Sequence, residues 1–94
     1  MRLRWTWHQA KNEANLRRHG LSFEAAVLVF DDPLSATRED PYPYEQRWRI
    51  IGRAEPQVVM AVHTWPDFDT GTGRIISARK ATRHEGKVYE EGHD

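Results

Sequence analysis

Cysteine is absent from the 94 residues, which excludes a disulfide frame, a thiolate metal site and a cysteine nucleophile. Long apolar runs are missing too. No stretch approaches membrane-spanning length and no signal peptide opens the chain, so a soluble, cytoplasmic protein is expected. An excess of charge of one sign is also lacking, since 14 Lys and Arg stand against 14 Asp and Glu. Nucleic-acid binders usually carry a basic excess, so this balance counts modestly against that class. There is no phosphate-cradling glycine loop, because Gly71-Thr72-Gly73 lacks the following helix and lysine. The 5 histidines have no ligand-like spacing, so neither a metal nor a cofactor is expected. Ser77 has no positioned partner for serine-hydrolase chemistry.

What is present is unevenly placed. Asp31, Asp32, Glu39, Asp40, Asp67 and Asp69 fall in loops. Arg17, Arg18, Arg47, Arg49, Arg53, Arg74, Arg79 and Lys80 cluster in or beside regular elements, and a neutral total can hide a basic face. Arginine outnumbers lysine heavily, which suits bidentate contacts to carboxylate or phosphate.

The length predicts one domain over 1–94, with no repeat and no internal boundary. Residues 2–7 alternate Leu3, Trp5 and Trp7 against polar neighbours, as in a short strand. A helix follows from His8 to His19, with Gly20 where a left-handed C-cap residue belongs. Ser22 caps a second helix, whose Phe23, Ala26, Val27 and Phe30 form an apolar stripe until Asp31-Asp32-Pro33 stops it. Strands are expected over 34–39, 47–53 and 58–64, joined by a proline-broken connection and an Ala54-Glu55-Pro56-Gln57 turn. In the second of these, Trp48 and Ile50 face one way while Arg47, Arg49, Ile51 and Arg53 face the other. Connections this short make neighbouring strands antiparallel. The fold class is therefore α+β, with two N-terminal helices on an antiparallel meander sheet and a short C-terminal helix. The predicted core comprises Trp5, Trp7, Phe23, Val27, Phe30, Trp48, Ile50, Val58, Met60, Val62 and Ile76.

The stretch from Arg74 to Glu91 starts as a strand and ends as a helix. Thr82 and Glu85 have the spacing of a capping box, and Glu85 and Tyr89 share a helix face. Simple alternation puts Ile75, Ser77 and Arg79 on one side of the strand and Arg74, Ile76 and Ala78 on the other. Arginines, a carboxylate and a phenol at such a junction make either a phosphate site or a solvated rim.

Four separated blocks resemble one family. Asn15 to Ala26 followed by Phe30-Asp31-Asp32-Pro33, then Arg47 to Arg53, then Val62-His63-Thr64, then Arg74 to Arg79 with Glu85, Tyr89 and Glu90, resemble the BrnT toxins in order and over nearly the whole chain. The first helix opens with His8-Gln9 where many relatives have Asp-Pro. The resemblance implies a RelE-like fold and an endoribonuclease toxin of a type II toxin–antitoxin system that cuts RNA without a metal. It also implies neutralisation by a BrnA-type antitoxin that carries a DNA-binding domain. A homo-oligomer and a toxin–antitoxin heterotetramer are both compatible with it.

Metal-free RNA cleavage needs a base for the ribose 2′-hydroxyl, cations for the charge on the phosphorane, and an acid for the departing 5′-oxygen. Arg79 is the first candidate for the phosphate clamp, the alternative being a pair with Glu85 or Glu90 that holds the helix. Arg74, Lys80 and Arg83 are candidate secondary phosphate contacts, or solvated charges. His63 is a candidate base or acid, or a packed structural residue. Tyr89 offers an acid or a stacking platform, and Glu85 a base, unless it is first of all a cap. Lys11 and His19 line the same cleft or the bare surface. Arg47, Arg49 and Arg53 form either a track for the RNA backbone or a receiving face for acidic antitoxin side chains. A non-catalytic domain of the same fold, which binds RNA or an antitoxin without turnover, is the rival reading.

Overall fold

A computed structural model describes residues 3–92 of the chain. Its strands are β1 (Arg4–Thr6), β2 (Ala36–Asp40), β3 (Arg47–Ala54), β4 (Gln57–His63) and β5 (Thr72–Lys80). Its helices are α1 (Gln9–His19), α2 (Phe23–Ala26), which runs on into a 3-10 turn (Val27–Asp31), and α3 (Arg83–Glu90). One sheet forms, in the order β1-β5-β4-β3-β2. From β2 to β5 it is the expected antiparallel meander. β1 departs from that pattern by pairing parallel to β5, with Trp5 beside Gly73. The helical crossover between them makes this possible, because β1 and β5 are separated by the rest of the fold and not by a tight turn. Arg2, which the sequence puts at the start of that strand, lies outside the described residues.

Local signals explain the helix ends. Gly20 closes α1 at φ 70°, and its N–H donates to the Leu16 carbonyl. The Ser22 hydroxyl accepts from the Ala25 N–H at 3.1 Å and starts α2. The α-helical part ends at Ala26, where the β-branched and bulky run Val27-Leu28-Val29-Phe30 tightens into the 3-10 turn. Two buried asparagines tie this layer down. The Asn15 Nδ2 donates to the carbonyls of Leu21 at 2.9 Å and Ala78 at 2.7 Å, and its Oδ1 accepts from the Ala78 N–H at 3.2 Å. The Asn12 Oδ1 accepts from the Phe23 N–H at 2.8 Å. Both are satisfied, as buried amides must be.

The core lies between these helices and one side of the sheet. Leu21, Phe23, Ala26 and Val29 pack on Ile50, Ala54, Val59, Ala61, Ile75 and Ala78. Phe23 and Ile50 belong to the predicted core, but β4 faces it with Val59 and Ala61 where Val58 and Val62 were expected. Val58-Val59-Met60-Ala61-Val62 is apolar on both sides, so its sequence carries no phase. β5 likewise contributes Ile75 and Ala78, not Ile76. A register shift at Val62/His63 is the cause: His63 opposes Ile75 while Val62 opposes Ser77, leaving Ile76 as the extra residue of a bulge. Past the bulge the alternation is reversed, so Ser77 and Arg79 join Arg74 on the side away from the core.

α3 covers part of that other side. Its capping box is complete, with the Glu85 N–H donating to the Thr82 hydroxyl at 3.2 Å and the Thr82 N–H to the Glu85 carboxylate at 2.9 Å. The buried Tyr89 hydroxyl donates to Asp32 Oδ2 at 2.6 Å, and the Arg53 N–H donates to the same oxygen at 2.7 Å. α3 is thereby fastened to the end of the 3-10 turn and to β3 together.

Candidate nucleic-acid interface

Away from the helical layer, register aligns the arginines in rows. Arg38, Arg49, Val62 and Ser77 follow one another across β2, β3, β4 and β5. The next row is Ala36, Ile51, Met60 and Arg79. Ala36, Arg38, Arg49, Ile51 and Met60 form the floor of a cleft of about 650 Å³, and His84, Glu85 and Val88 of α3 form its wall. Apolar side chains under a ring of cations give a rigid, weakly polarisable base on which positive charge is focused.

Arg79, near the end of β5, lies behind the wall and holds Glu85. Its Nη1 and Nη2 donate to the two Glu85 oxygens at 2.7 and 3.0 Å. This fork holds the Glu85 carboxyl down at about 2, and the Thr82 N–H adds to the effect. The same contact raises Arg79 further above its ordinary value. Glu85 therefore stays ionised and weakly basic at neutral pH.

The other arginines also rest on carboxylates. Arg47 Nε meets Glu45 Oε1 at 3.0 Å, and Arg74 Nη2 meets Oε1 and Oε2 of the same residue at 2.8 and 3.0 Å. These two contacts hold Glu45 below the usual carboxylate range. The Arg47 guanidinium also lies 3.8 Å over the Tyr42 ring. Arg49 pairs with Asp40, and Arg53 with Glu55 at 3.6 Å. Arg38 and His84 have no hydrogen-bonding or ionic partner among the described residues, and both line the cleft.

The remaining candidates are dispersed. Lys80 and Arg83 are exposed on either side of the β5–α3 junction. Lys11 and His19 are exposed on α1, which belongs to the helical layer on the far side of the sheet. His63 points to that side too: it is 2 % exposed and edge-on to Trp5 and Phe30. Burial lowers its pKa, against the smaller upward pull of the Thr64 carbonyl on Nδ1 at 2.8 Å. Tyr89 is buried, and its hydrogen bond to Asp32, reinforced by burial, raises its pKa above the ordinary phenol value. Sequence reasoning missed Arg38 and His84. Arg38 had a signal in its place on the strand that pairs with β3, whereas His84 acquires meaning only once α3 is folded back over β3.

Among the described residues no group of His, Cys, Asp and Glu could hold a metal ion, and no helix is long and apolar enough to cross a membrane. The fold and the arginine-lined face together fit a small α+β toxin domain, consistent with the RelE-like expectation. Residues 7–85 match the family model described as "Ribonuclease toxin, BrnT, of type II toxin-antitoxin system", and the chain belongs to that family. No curated protein matches it. Family membership implies an RNA substrate and an antitoxin partner.

Proposed function

We propose that the chain is a metal-independent endoribonuclease that cuts RNA at the cleft between β2, β3 and α3, and that a BrnA-type antitoxin inhibits it. The observation that carries this reading is the Arg79 fork, already closed on Glu85 of the cleft wall at 2.7 and 3.0 Å, while Arg38 on the cleft floor has no partner among the described residues. A fork that grips two carboxylate oxygens grips two phosphate oxygens by the same geometry. Glu85, Glu45 and Asp40 hold the arginines in place until a phosphodiester competes for them.

In this mechanism Arg38, Arg49 and Arg79 take up the charge that builds on the phosphorane, an effect worth about 10²–10³-fold per fixed donor. His84 on the cleft wall takes the proton from the ribose 2′-hydroxyl, the role histidine fills most often in general-base catalysis. The 2′-oxygen bonds to phosphorus, the bond to the 5′-oxygen breaks, and that oxygen takes a proton from solvent. The products are a 2′,3′-cyclic phosphate and a 5′-hydroxyl. DNA has no 2′-hydroxyl and is not cut by this route. Arg47, Arg53, Arg74, Lys80 and Arg83 guide the flanking backbone. Tyr89 and Glu85 position α3, and His63, Lys11 and His19 lie outside the cleft lining.

The pairing of Arg47, Arg49, Arg74 and Arg79 with internal carboxylates favours one rival, a domain that binds RNA or its antitoxin without turnover. Incubating the purified protein with RNA in EDTA separates the two. Fragments with cyclic phosphate ends are expected; intact RNA with a correctly folded protein sinks the nuclease reading.

A further inference from the structure

The helical side of the sheet carries a second cavity that RNA cleavage does not use. It is an apolar groove of about 400 Å³ lined by Leu3, Trp5, Phe30, His63, Trp65 and Phe68. Its rim is left in water: Phe68 is 90 % exposed, Trp65 61 % and Leu3 56 %. Contiguous apolar surface of this kind marks an interaction site. Two buried polar atoms near the groove are unpaired. His63 Nδ1 faces the Thr64 carbonyl, which only accepts, so Nδ1 carries the hydrogen and Nε2 is a bare acceptor. No donor among the described residues reaches that nitrogen. Trp48, paired with His63 across β3 and β4, leaves its buried Nε1–H without an acceptor. Both atoms are closed off from solvent, so what the groove offers a partner is its aromatic wall.

Charge decides which class of partner fits. The Asp67 carboxylate belongs to the groove lining, and Asp69 follows it in the same loop. A phosphate backbone would meet these carboxylates, whereas an apolar protein segment meets the aromatics. The groove and the arginine cleft meet at one edge of the sheet. Thr37 of β2 borders both cavities, and β2 is the edge of the sheet.

We propose that this groove anchors the toxin's protein antitoxin. The occupant is a segment with a bulky apolar side chain that packs against Trp5, Phe30, Trp65 and Phe68. From that anchor the antitoxin crosses the β2 edge and lays acidic residues over Arg38 and Arg49. Grip and inhibition then reside on opposite sides of the sheet. The proposal rests on the toxin reading, which supplies the partner.

The test uses the cognate antitoxin, co-produced with the toxin and then separated from it, titrated calorimetrically into wild type and into Trp65→Ala/Phe68→Ala. Both residues are exposed, so the double variant keeps its fold and the RNA cleavage rate of the free toxin. Affinity for the antitoxin falls about 30-fold or more, as for paired aromatic anchors. Unchanged affinity overturns the proposal, as does a wild type that does not bind the antitoxin. Lost RNA binding with unchanged antitoxin affinity assigns the groove to RNA and overturns it. So does a wild-type dimer abolished in the variant while antitoxin affinity holds. A wild type that binds antitoxin through the groove but leaves RNA intact sinks the nuclease reading alone.

Discussion

Arg79 and Glu85, one at the end of β5 and the other in the first turn of α3, are locked in a two-bonded ion pair of 2.7 and 3.0 Å. Glu85 simultaneously completes the capping box with Thr82. One carboxylate of the cleft wall thus begins the helix and fixes the arginine near the end of β5. Glu85→Gln keeps part of the cap but loses the charge, so it should lower stability by about 1–2 kcal/mol. The sign with pH follows from the depressed folded value of about 2 against 4.5 for the free group. The contribution is complete above 4.5 and is lost as pH falls towards 2, so the gap between wild type and variant narrows over that window. Denaturant melts at a series of acid pH values check this; a constant gap contradicts it.

Tyr89 is a positioning residue through its 2.6 Å hydrogen bond to Asp32. Burial pulls the Asp32 carboxyl up, but hydrogen bonds from Tyr89 and from the N–H groups of Arg53 and Leu34 hold it below its ordinary value. Tyr89→Phe leaves that acceptor short of a donor and should cost about 1–2 kcal/mol. Amide exchange in α3 should quicken, while the pH profile of RNA cleavage keeps its shape. A profile that loses its alkaline limb would instead make Tyr89 a proton donor.

Burial of His63 makes a second pH prediction. Its folded pKa lies below the 6.5 of the free imidazole, so the unfolded chain binds the extra proton first. Stability is complete above 6.5 and falls as pH drops through the folded value. His63→Leu should remove this slope between neutral and mildly acid pH, whatever it does to absolute stability. Thermal melts of both proteins across that range measure it.

Gly73 is held by space. A Cβ there would collide with the Trp5 ring across the β1–β5 pair. Gly73→Ala should therefore destabilise by about 1–3 kcal/mol, typical of overpacking. A shifted urea midpoint with altered tryptophan emission reports it.

Several of these features were legible in the sequence. Ser22, Gly20 and the Thr82–Glu85 box act over three or four residues, and local chemistry alone determines them. The Arg47, Arg49 and Arg53 alternation was equally plain, because their polar side opposes Trp48 and Ile50. The side taken by Arg79 was not legible in this way. It depends on Ile76 as a bulge residue, which only pairing with β4 creates. The phase of β4 was hidden by apolar residues on both sides, and the parallel partner of β1 by the sequence distance between Trp5 and Gly73. His84 was invisible as a site residue for a similar reason, since its place on the cleft wall is a tertiary fact.

The central claim is that the arginine-lined side of the sheet cuts RNA. It is tested most directly by cleavage rates in EDTA for wild type, Arg38→Ala/Arg49→Ala, and a control Arg17→Ala/Arg18→Ala on α1. Both double variants remove the same charge, so a general loss of electrostatic attraction affects them alike. The account predicts that the cleft variant loses about 10²-fold or more, in line with removal of fixed transition-state donors, while the control stays near wild type. Equal rates in the two variants, or a cleft variant as fast as wild type, would contradict it.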